Sequence, residues 1–314
     1  MGSVVIVTVT PNPALDITYD VERLVPHASH RVLRVRELAG GKGLNVASVL
    51  TGLGHKVVAA GLVGGTAGAR IRQDLDARGI RHDLRDCDVP SRRTVTVVSE
   101  VDGEATAFNE PGQPWGPAEC EALVEHVGAT VSALRPAVVV ASGSVPPGFA
   151  PDGYAALVAG ARTAGALVVL DASLEAFLGG LGAGPDVVKP NHHELREVTG
   201  LDDPVAGAKA LQDKGARHVV ASLGADGMVH VAPDGSVQRA RLDRALRGNA
   251  TGAGDAGVAA IAHGLANGLG WPEILGDAVA WSAAAVLQPV AGEVSASDIA
   301  ALRGSVTVDI EEVG

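Results

Sequence analysis

The chain has 314 residues, 46% hydrophobic and 19% charged, with a formal net charge of −11. That length allows one large α/β domain or two smaller ones, and the composition is that of a globular protein with a full core. No basic run stands out and no apolar stretch is long and clean enough to span a bilayer, which argues against nucleic acid and membrane as partners. A small anionic substrate stays open, because local Lys and Arg can bind one inside an acidic protein. Only 3% of residues are aromatic, so the core is expected to be Val, Leu, Ala and Ile. Cys87 and Cys120 have no metal or redox spacing and read as free thiols of a reducing compartment. Met1 to Thr10 carries no basic n-region and no cleavage site. The expected location is cytoplasmic.

Met1 to Thr10 reads instead as a first strand, with Val4 to Val9 a continuous apolar, β-branched run that Thr10-Pro11-Asn12-Pro13 stops. Asp16 follows at that strand's carboxyl end, where open α/β sheets bind ligands. It suits sugar hydroxyls, and equally a turn or cap. Thr18 to Leu38 is partly alternating, as in short strands of a peripheral sheet, and carries Arg31, Arg34 and Arg36. Ala39-Gly40-Gly41-Lys42-Gly43-Leu44-Asn45-Val46-Ala47 is a glycine turn entering a helix. It is not a dinucleotide fingerprint, because Val46 takes the third glycine's place. Nor is it a Walker A loop, because Arg36 takes the first. What remains is a turn presenting Lys42 and Asn45 to a polyhydroxylated or anionic ligand. Val57 to Val63 is the next strand, and a helix is predicted over about 67–78. Val89 to Glu100 holds Arg92, Arg93 and a strand over 94–99. Asp102-Gly103 signals a hairpin whose return ends at Asn109-Glu110-Pro111-Gly112. This hairpin breaks the βα rhythm, so it is expected to join residues 18–38 in a lid-like sheet.

From Pro117 the rhythm is regular. Helices are predicted over 117–134, 152–164 and 204–214, and strands over 137–141, 167–170 and 218–221. Between them lie Ser142-Gly143-Ser144-Val145-Pro146-Pro147-Gly148, Asp171, Lys189-Pro190-Asn191-His192-His193-Glu194 and Ser222-Leu223-Gly224-Ala225-Asp226-Gly227. Such alternation means a parallel sheet covered on both faces, with its turns along one edge.

Asn191 and Glu194 stand three apart at a helix start, and an amide oxygen with a carboxylate suits Mg²⁺ and its waters. Ser142 and Ser144 lack the G-x-S-x-G of a hydrolase and read as ligand contacts or turn residues. The glycines of Ser222–Gly227 either admit a nucleotide or turn a hairpin. Asn249-Ala250-Thr251-Gly252-Ala253-Gly254-Asp255-Ala256 precedes a run with Val258, Ile261, Ala262 and Leu265 at helical spacing. The N–H groups of Gly252, Ala253, Gly254 and Asp255 would converge on an anion at the positive end of that helix. Asp255 would be a general base beside it. The same string also reads as a glycine turn with a capping Asp.

Taken in order, the 10–16, 40–47, 142–148, 189–194, 222–227 and 251–255 motifs resemble the ribokinase-like (PfkB) family of carbohydrate kinases, over residues 4 to about 300. The TPNPALD and GGKGLNVA pair is similar to its branch of 1-phosphofructokinase and tagatose-6-phosphate kinase. The resemblance implies a ribokinase-like α/β fold: one αβα, doubly wound, mainly parallel domain over residues 1–314, with a small β-sheet lid from about 16–38 and 90–110. It implies a homodimer through that lid. It also implies ATP and Mg²⁺ as cofactors, and a sugar phosphate as acceptor. By this resemblance Asp255 is the base and Gly252, Ala253 and Gly254 the anion hole. Asp16, Gly40, Gly41, Asn45 and Ser142 border the sugar. Lys42 and Arg93, with Arg31, hold the phosphate the acceptor already carries. Lys189, Ser222, Gly224, Gly227, Asn249, Thr251 and residues near Ala284 border ATP. Asn191, Glu194 and Asp171 organise Mg²⁺, largely through water. The implied reaction is phosphorylation of a ketohexose phosphate, fructose 1-phosphate first and tagatose 6-phosphate as the alternative. A non-catalytic sugar-phosphate-binding regulator is a further reading, against which the intact Asp255, Asn191 and Glu194 argue.

Overall fold

The computed structural model describes residues 4–311, so the expectation of a strand from Met1 falls partly outside the described residues. Strand β1 (Ile6–Thr10) is fully buried. The chain then lays down the antiparallel pair β2 (Ala14–Val21) and β3 (Val32–Gly40). Next come α1 (Lys42–Gly52), β4 (Val57–Val63), α2 (Gly65–Ala77) and β5 (His82–Asp86). β6 (Arg92–Ser99) and β7 (Ala105–Asn109) form the hairpin about Asp102-Gly103. The βα rhythm follows as α3 (Pro117–Leu134), β8 (Val138–Gly143), α4 (Gly153–Thr163), β9 (Leu167–Ala172) and α5 (Leu174–Leu181). It continues as β10 (Val187–Val188), α6 (His192–Thr199), α7 (Pro204–Gln212) and β11 (His218–Ser222). The last elements are β12 (Met228–Val231), β13 (Val237–Leu242), α8 (Ala253–Ala266), α9 (Trp271–Val286), α10 (Ala296–Arg303) and β14 (Val306–Glu311).

Ten strands form one sheet in the order β5-β4-β1-β8-β9-β10-β11-β12-β13-β14. The first seven run parallel, and β12 to β14 add an antiparallel meander at one end. The chain winds from β1 to β4 and β5 on one side, then returns to β8 and proceeds the other way. The topological switch therefore lies between β1 and β8, the place where such sheets bind ligands.

Alternation along β1 divides the core. Val7 and Val9 pack with Leu123, Tyr154 and Leu157 on one face. Ile6 packs with Leu44, Val258 and Ile261 on the other. Buried α8 is thick with small residues, and they set its distance from α9. A Cβ added at Gly257 would lie 2.7 Å from Ser282 Oγ, and one at Gly264 would lie 2.5 Å from Ile274 Cγ1. Close helix approach with few aromatics gives native density without large side chains.

β2, β3, β6 and β7 form a second sheet in the order β3-β2-β6-β7. β2 and β6 pair in parallel, Asp16 opposite Thr94. One face of this sheet looks at the mouth of the switch point. α2 covers the proximal part of its other face, where Arg70 Nε and Nη2 reach Glu37 Oε2 at 2.9 and 2.6 Å.

Candidate active site

The carboxyl ends of β1, β8 and β9, the amino ends of α1 and α8, and the inner face of the small sheet enclose a cleft of about 1160 Å³. Asp16, Lys42, Asn45, Asp171, Lys189 and Asp255 all line it.

Gly252 is the N-cap of α8 at φ 82°, so the chain turns sharply before the helix. Asp255 is the third helical residue, 6% exposed, and its Oδ2 accepts a 2.8 Å hydrogen bond from Asn45 Nδ2. Burial, and secondarily the charge of Asp171, push its carboxyl up to about 6, against the pull of Asn45, Lys42 and Lys189. A base must be ionised to accept a proton. Activity is therefore expected to rise with pH through about 6 and level off above 7, as a kcat–pH profile would record. A profile flat down to pH 5 would remove Asp255 from that role.

The amides of Gly252, Gly254 and Asp255 donate to no protein acceptor among the described residues. The Ala253 amide, expected among them, is spent instead on Ala250 O at 3.2 Å, closing the turn that aims the others. A Cβ at Gly254 would lie only 3.5 Å from Lys189 Nζ. An anion at that point would meet three free N–H groups, the helix dipole and an ammonium.

Lys42 opens α1 and crosses to β9, with Nζ 3.0 Å from Asp171 Oδ1 and 3.9 Å from Glu194 Oε1. Burial alone would lower its pKa, but Asp171, Glu194 and Asp255 raise it above the usual lysine value. Burial likewise works against Asp171 as an anion. Lys42 and Lys189 overcome it and hold that carboxyl below its ordinary range. Asp171 Oδ2 is buried with no hydrogen-bond partner in the protein. Asn191 and Glu194 form a capping box: Asn191 Oδ1 accepts from the His193 and Glu194 amides at 2.9 Å, and Glu194 Oε2 accepts from the Asn191 amide at 2.8 Å. Capping leaves Glu194 Oε1 3.9 Å from Lys42 Nζ, the ammonium that Asp171 also pairs with. The orphaned Asp171 oxygen and that carboxylate suit a hard cation with its waters. No group of three or more His, Cys, Asp or Glu converges among the described residues, so the donors fit an ion held mostly by water and phosphate oxygens.

The sequence matches the pfkB family carbohydrate kinase profile over residues 9–298. This chain belongs to the pfkB family of carbohydrate kinases. It is 40% identical over 269 residues to a 1-phosphofructokinase of Xanthomonas campestris, covering 82% of this chain and 83% of that protein. It is 36% identical to a 1-phosphofructokinase of Rhodobacter capsulatus, covering 90% of each. Among solved structures, phosphofructokinase-2 from Escherichia coli in complex with fructose-6-phosphate superposes with a TM-score of 0.86 at 27% identity, covering 96% of this chain and 98% of that one. The fold expected from the sequence is thus the fold of this family, ATP and Mg²⁺ are its cofactors, and the enzyme is a phosphotransferase with an alcohol acceptor. No helix of the described residues is long and apolar enough to cross a membrane.

The structure of this pfkB kinase sorts the remaining expected residues. Gly41, Asn249, Thr251, Asn191 and Ser222 line the cleft. Gly40 serves as a spacer for Asp16, because a Cβ there would lie 2.0 Å from Asp16 Oδ2. Asp16 Oδ1 accepts from Thr94 Oγ1 at 2.6 Å. Burial raises the Asp16 carboxyl, with Thr94 and Arg92 pulling against it.

Six expected residues lie elsewhere. Arg93 points off the cleft and pairs with Glu110 at 3.3 Å, because side chains alternate along β6 and Thr94 already faces in. Arg31 is exposed before β3 and does not line the cleft. Ser142 is fully buried and donates to Asp171 O at 3.1 Å, so it braces β9. Gly224 and Gly227 turn the β11–β12 hairpin, where a Cβ at Gly227 would lie 2.0 Å from Ala240 O. Ala284 is fully buried within α9.

Arg92 and Asn12 are the residues the sequence reading missed. Arg92 Nε donates to Asn12 O at 3.1 Å and Nη1 to Glu110 O at 3.2 Å, while Asn12 Nδ2 donates to Pro111 O at 3.0 Å. The signal for Arg92 was the strand period, once Thr94 is fixed opposite Asp16.

Proposed function

We infer that this kinase transfers the γ-phosphoryl group of MgATP to fructose 1-phosphate, giving fructose 1,6-bisphosphate. The observation that carries the reading is Asp255, a buried carboxyl raised to about 6 beside free helix-end amides and Asn45. The 1-phosphofructokinase relatives support the acceptor. Asp255 takes the proton of the acceptor hydroxyl. That oxygen bonds to the γ-phosphorus as the bond to the β–γ bridging oxygen breaks and ADP leaves. Charge growing on the transferring group meets the Gly252, Gly254 and Asp255 amides and the Lys189 ammonium, positioning and neutralisation being most of what phosphoryl transfer needs. Asp171 and Glu194 would hold Mg²⁺ through its waters, and the ion would supply neutralisation of phosphate charge. Lys42, locked on Asp171, belongs with this phosphoryl group rather than with the acceptor's own phosphate.

Asp16 and Asn45 hold sugar hydroxyls, and Arg92 replaces Arg93 as the partner of the acceptor phosphate. Losing a charge-assisted hydrogen bond of this kind is expected to raise the sugar-phosphate KM by about 10–100-fold in Arg92→Ala. Arg93→Ala should stay within about twofold, as for an exposed surface position. Equal effects would return the assignment to Arg93. The test of the function is ADP release from MgATP against fructose 1-phosphate, tagatose 6-phosphate, fructose 6-phosphate and free fructose. Turnover confined to free sugars would overturn the phosphorylated acceptor. A preference for tagatose 6-phosphate would rename it.

The small sheet also supports a homodimer. On its outward face Val35, Tyr19 and Val97 sit side by side by register, next to Val95 and Phe108. Val35 is 54% exposed and Phe108 57%. A second copy is the occupant this apolar patch fits. Phe108→Glu should halve the sedimenting mass, and an unchanged mass would remove the lid from the interface.

A further inference from the structure

A chain of hydrogen bonds outside the catalytic groups runs from the root of the lid to the wall of the anion hole. β3 is an edge strand of the small sheet, and its last residues before the Gly40-Gly41 turn lack a neighbour on the outer side. There the Ala39 amide donates to Asp74 Oδ2 at 2.9 Å. Arg78 Nη1 donates to the same oxygen at 3.3 Å. Arg78 Nη2 donates in turn to Ser48 Oγ. Ser48 Oγ donates onward to Gly292 O at 2.6 Å.

Gly292 ends the loop whose Pro289, Val290 and Ala291 line the cleft. That loop is tightly seated. A Cβ on Gly252 would lie 2.9 Å from Ala291 Cα, and one on Gly292 would lie 3.3 Å from Asn45 Oδ1. Ser48 also sits one turn after Asn45 on α1, so the two share a face. The chain thus ties three things together: the lid strand, the helix that presents Asn45 to Asp255, and the loop that backs the Gly252 turn.

We propose that Asp74, Arg78 and Ser48 are positioning residues that couple the nucleotide side of the cleft to the lid, so that seating the nucleotide's phosphates at the Gly252 turn rigidifies β3. None of the three touches a reacting atom. Each link is a directional hydrogen bond in a partly buried place, and such links transmit a shift of one end to the other where loose packing would absorb it. The proposal rests on nucleotide binding in the cleft and not on the identity of the acceptor.

The test is hydrogen exchange of the β3 amides, residues 35–40, in the enzyme alone and saturated with the non-hydrolysable analogue MgAMP-PNP. In the parent, the analogue is expected to slow exchange about tenfold, within the usual range of site-to-site coupling. In Ser48→Ala and Arg78→Met that ratio should fall toward one, and Arg78→Lys should restore part of it. A merely structural role would speed exchange equally with and without analogue and leave the ratio alone. A parental ratio of one, or a ratio kept in both variants, overturns the coupling. Turnover with the sugar-phosphate panel is read separately. A failed acceptor assignment therefore leaves this measurement intact, and the reverse holds too.

Discussion

Asp255→Asn is expected to lower kcat by about 10³-fold or more while leaving both substrates bound. The amide cannot take the hydroxyl proton, yet it keeps an oxygen for the Asn45 hydrogen bond, so the site should stay built. The same change should stabilise the fold. A carboxyl pushed from 3.8 to about 6 is penalised as a folded-state anion by about 3 kcal/mol. The sign is clear: below pH 4 both folded and unfolded forms are protonated, and between about 4 and 6 the unfolded form ionises first. Stability from this group is therefore lost as pH rises through that window, and a neutral Asn recovers it. At pH 7 the variant should melt several degrees above the parent. Steady-state kinetics and a melting curve check both halves. A variant that is slow and also less stable would mean that Asp255 is a structural cap and not a strained base.

Gly252→Ala carries the second largest effect, about a 10²-fold loss of kcat. The residue stands at φ 82°, which costs an L side chain about 1–2 kcal/mol, and its Cβ would lie 2.9 Å from both Ala291 Cα and Cβ. The backbone must rotate, and with it the amides that face the transferring phosphoryl group. Gly224→Ala is the control. It too has positive φ, 64°, but a Cβ there meets nothing within 4 Å. It should cost about 1 kcal/mol of stability and leave kcat within about twofold. If the two variants lost activity alike, the hairpin glycine would regain a place at the nucleotide.

The fold was legible because the motifs recur at strand ends in a fixed order, and the glycine turns before Lys42 and Asp255 placed the two helix starts that matter. What sequence could not settle was phase and sharing. Arg92 and Arg93 are adjacent, and only the register Asp16–Thr94 decides which faces in. Ser142 and Ser144 are likewise on opposite sides of Gly143. One donates to Asp171 O, while the other lines the cleft. Asn191 and Glu194 showed a different ambiguity. The capping reading and the ligand reading use different oxygens of Glu194, so both fit the geometry. The parallel pairing of β2 with β6 joins residues nearly eighty apart, beyond the reach of any local pattern.

The central place of β1 bears on how the molecule is made. Its two neighbours are β4 and β8, so the β8-facing edge of this largely apolar strand stays open until residue 143 has been synthesised. At about 5–20 residues per second the wait after Val63 is about 4–16 s, far longer than collapse takes. During that time the nascent chain presents a bare parallel edge of Ile, Val and Thr residues. Helix α2, strand β5, the β6–β7 hairpin and helix α3 intervene in sequence between β4 and β8 and delay its closure. Pauses placed between residues 63 and 143 are therefore expected to lower its soluble yield more than pauses placed after them.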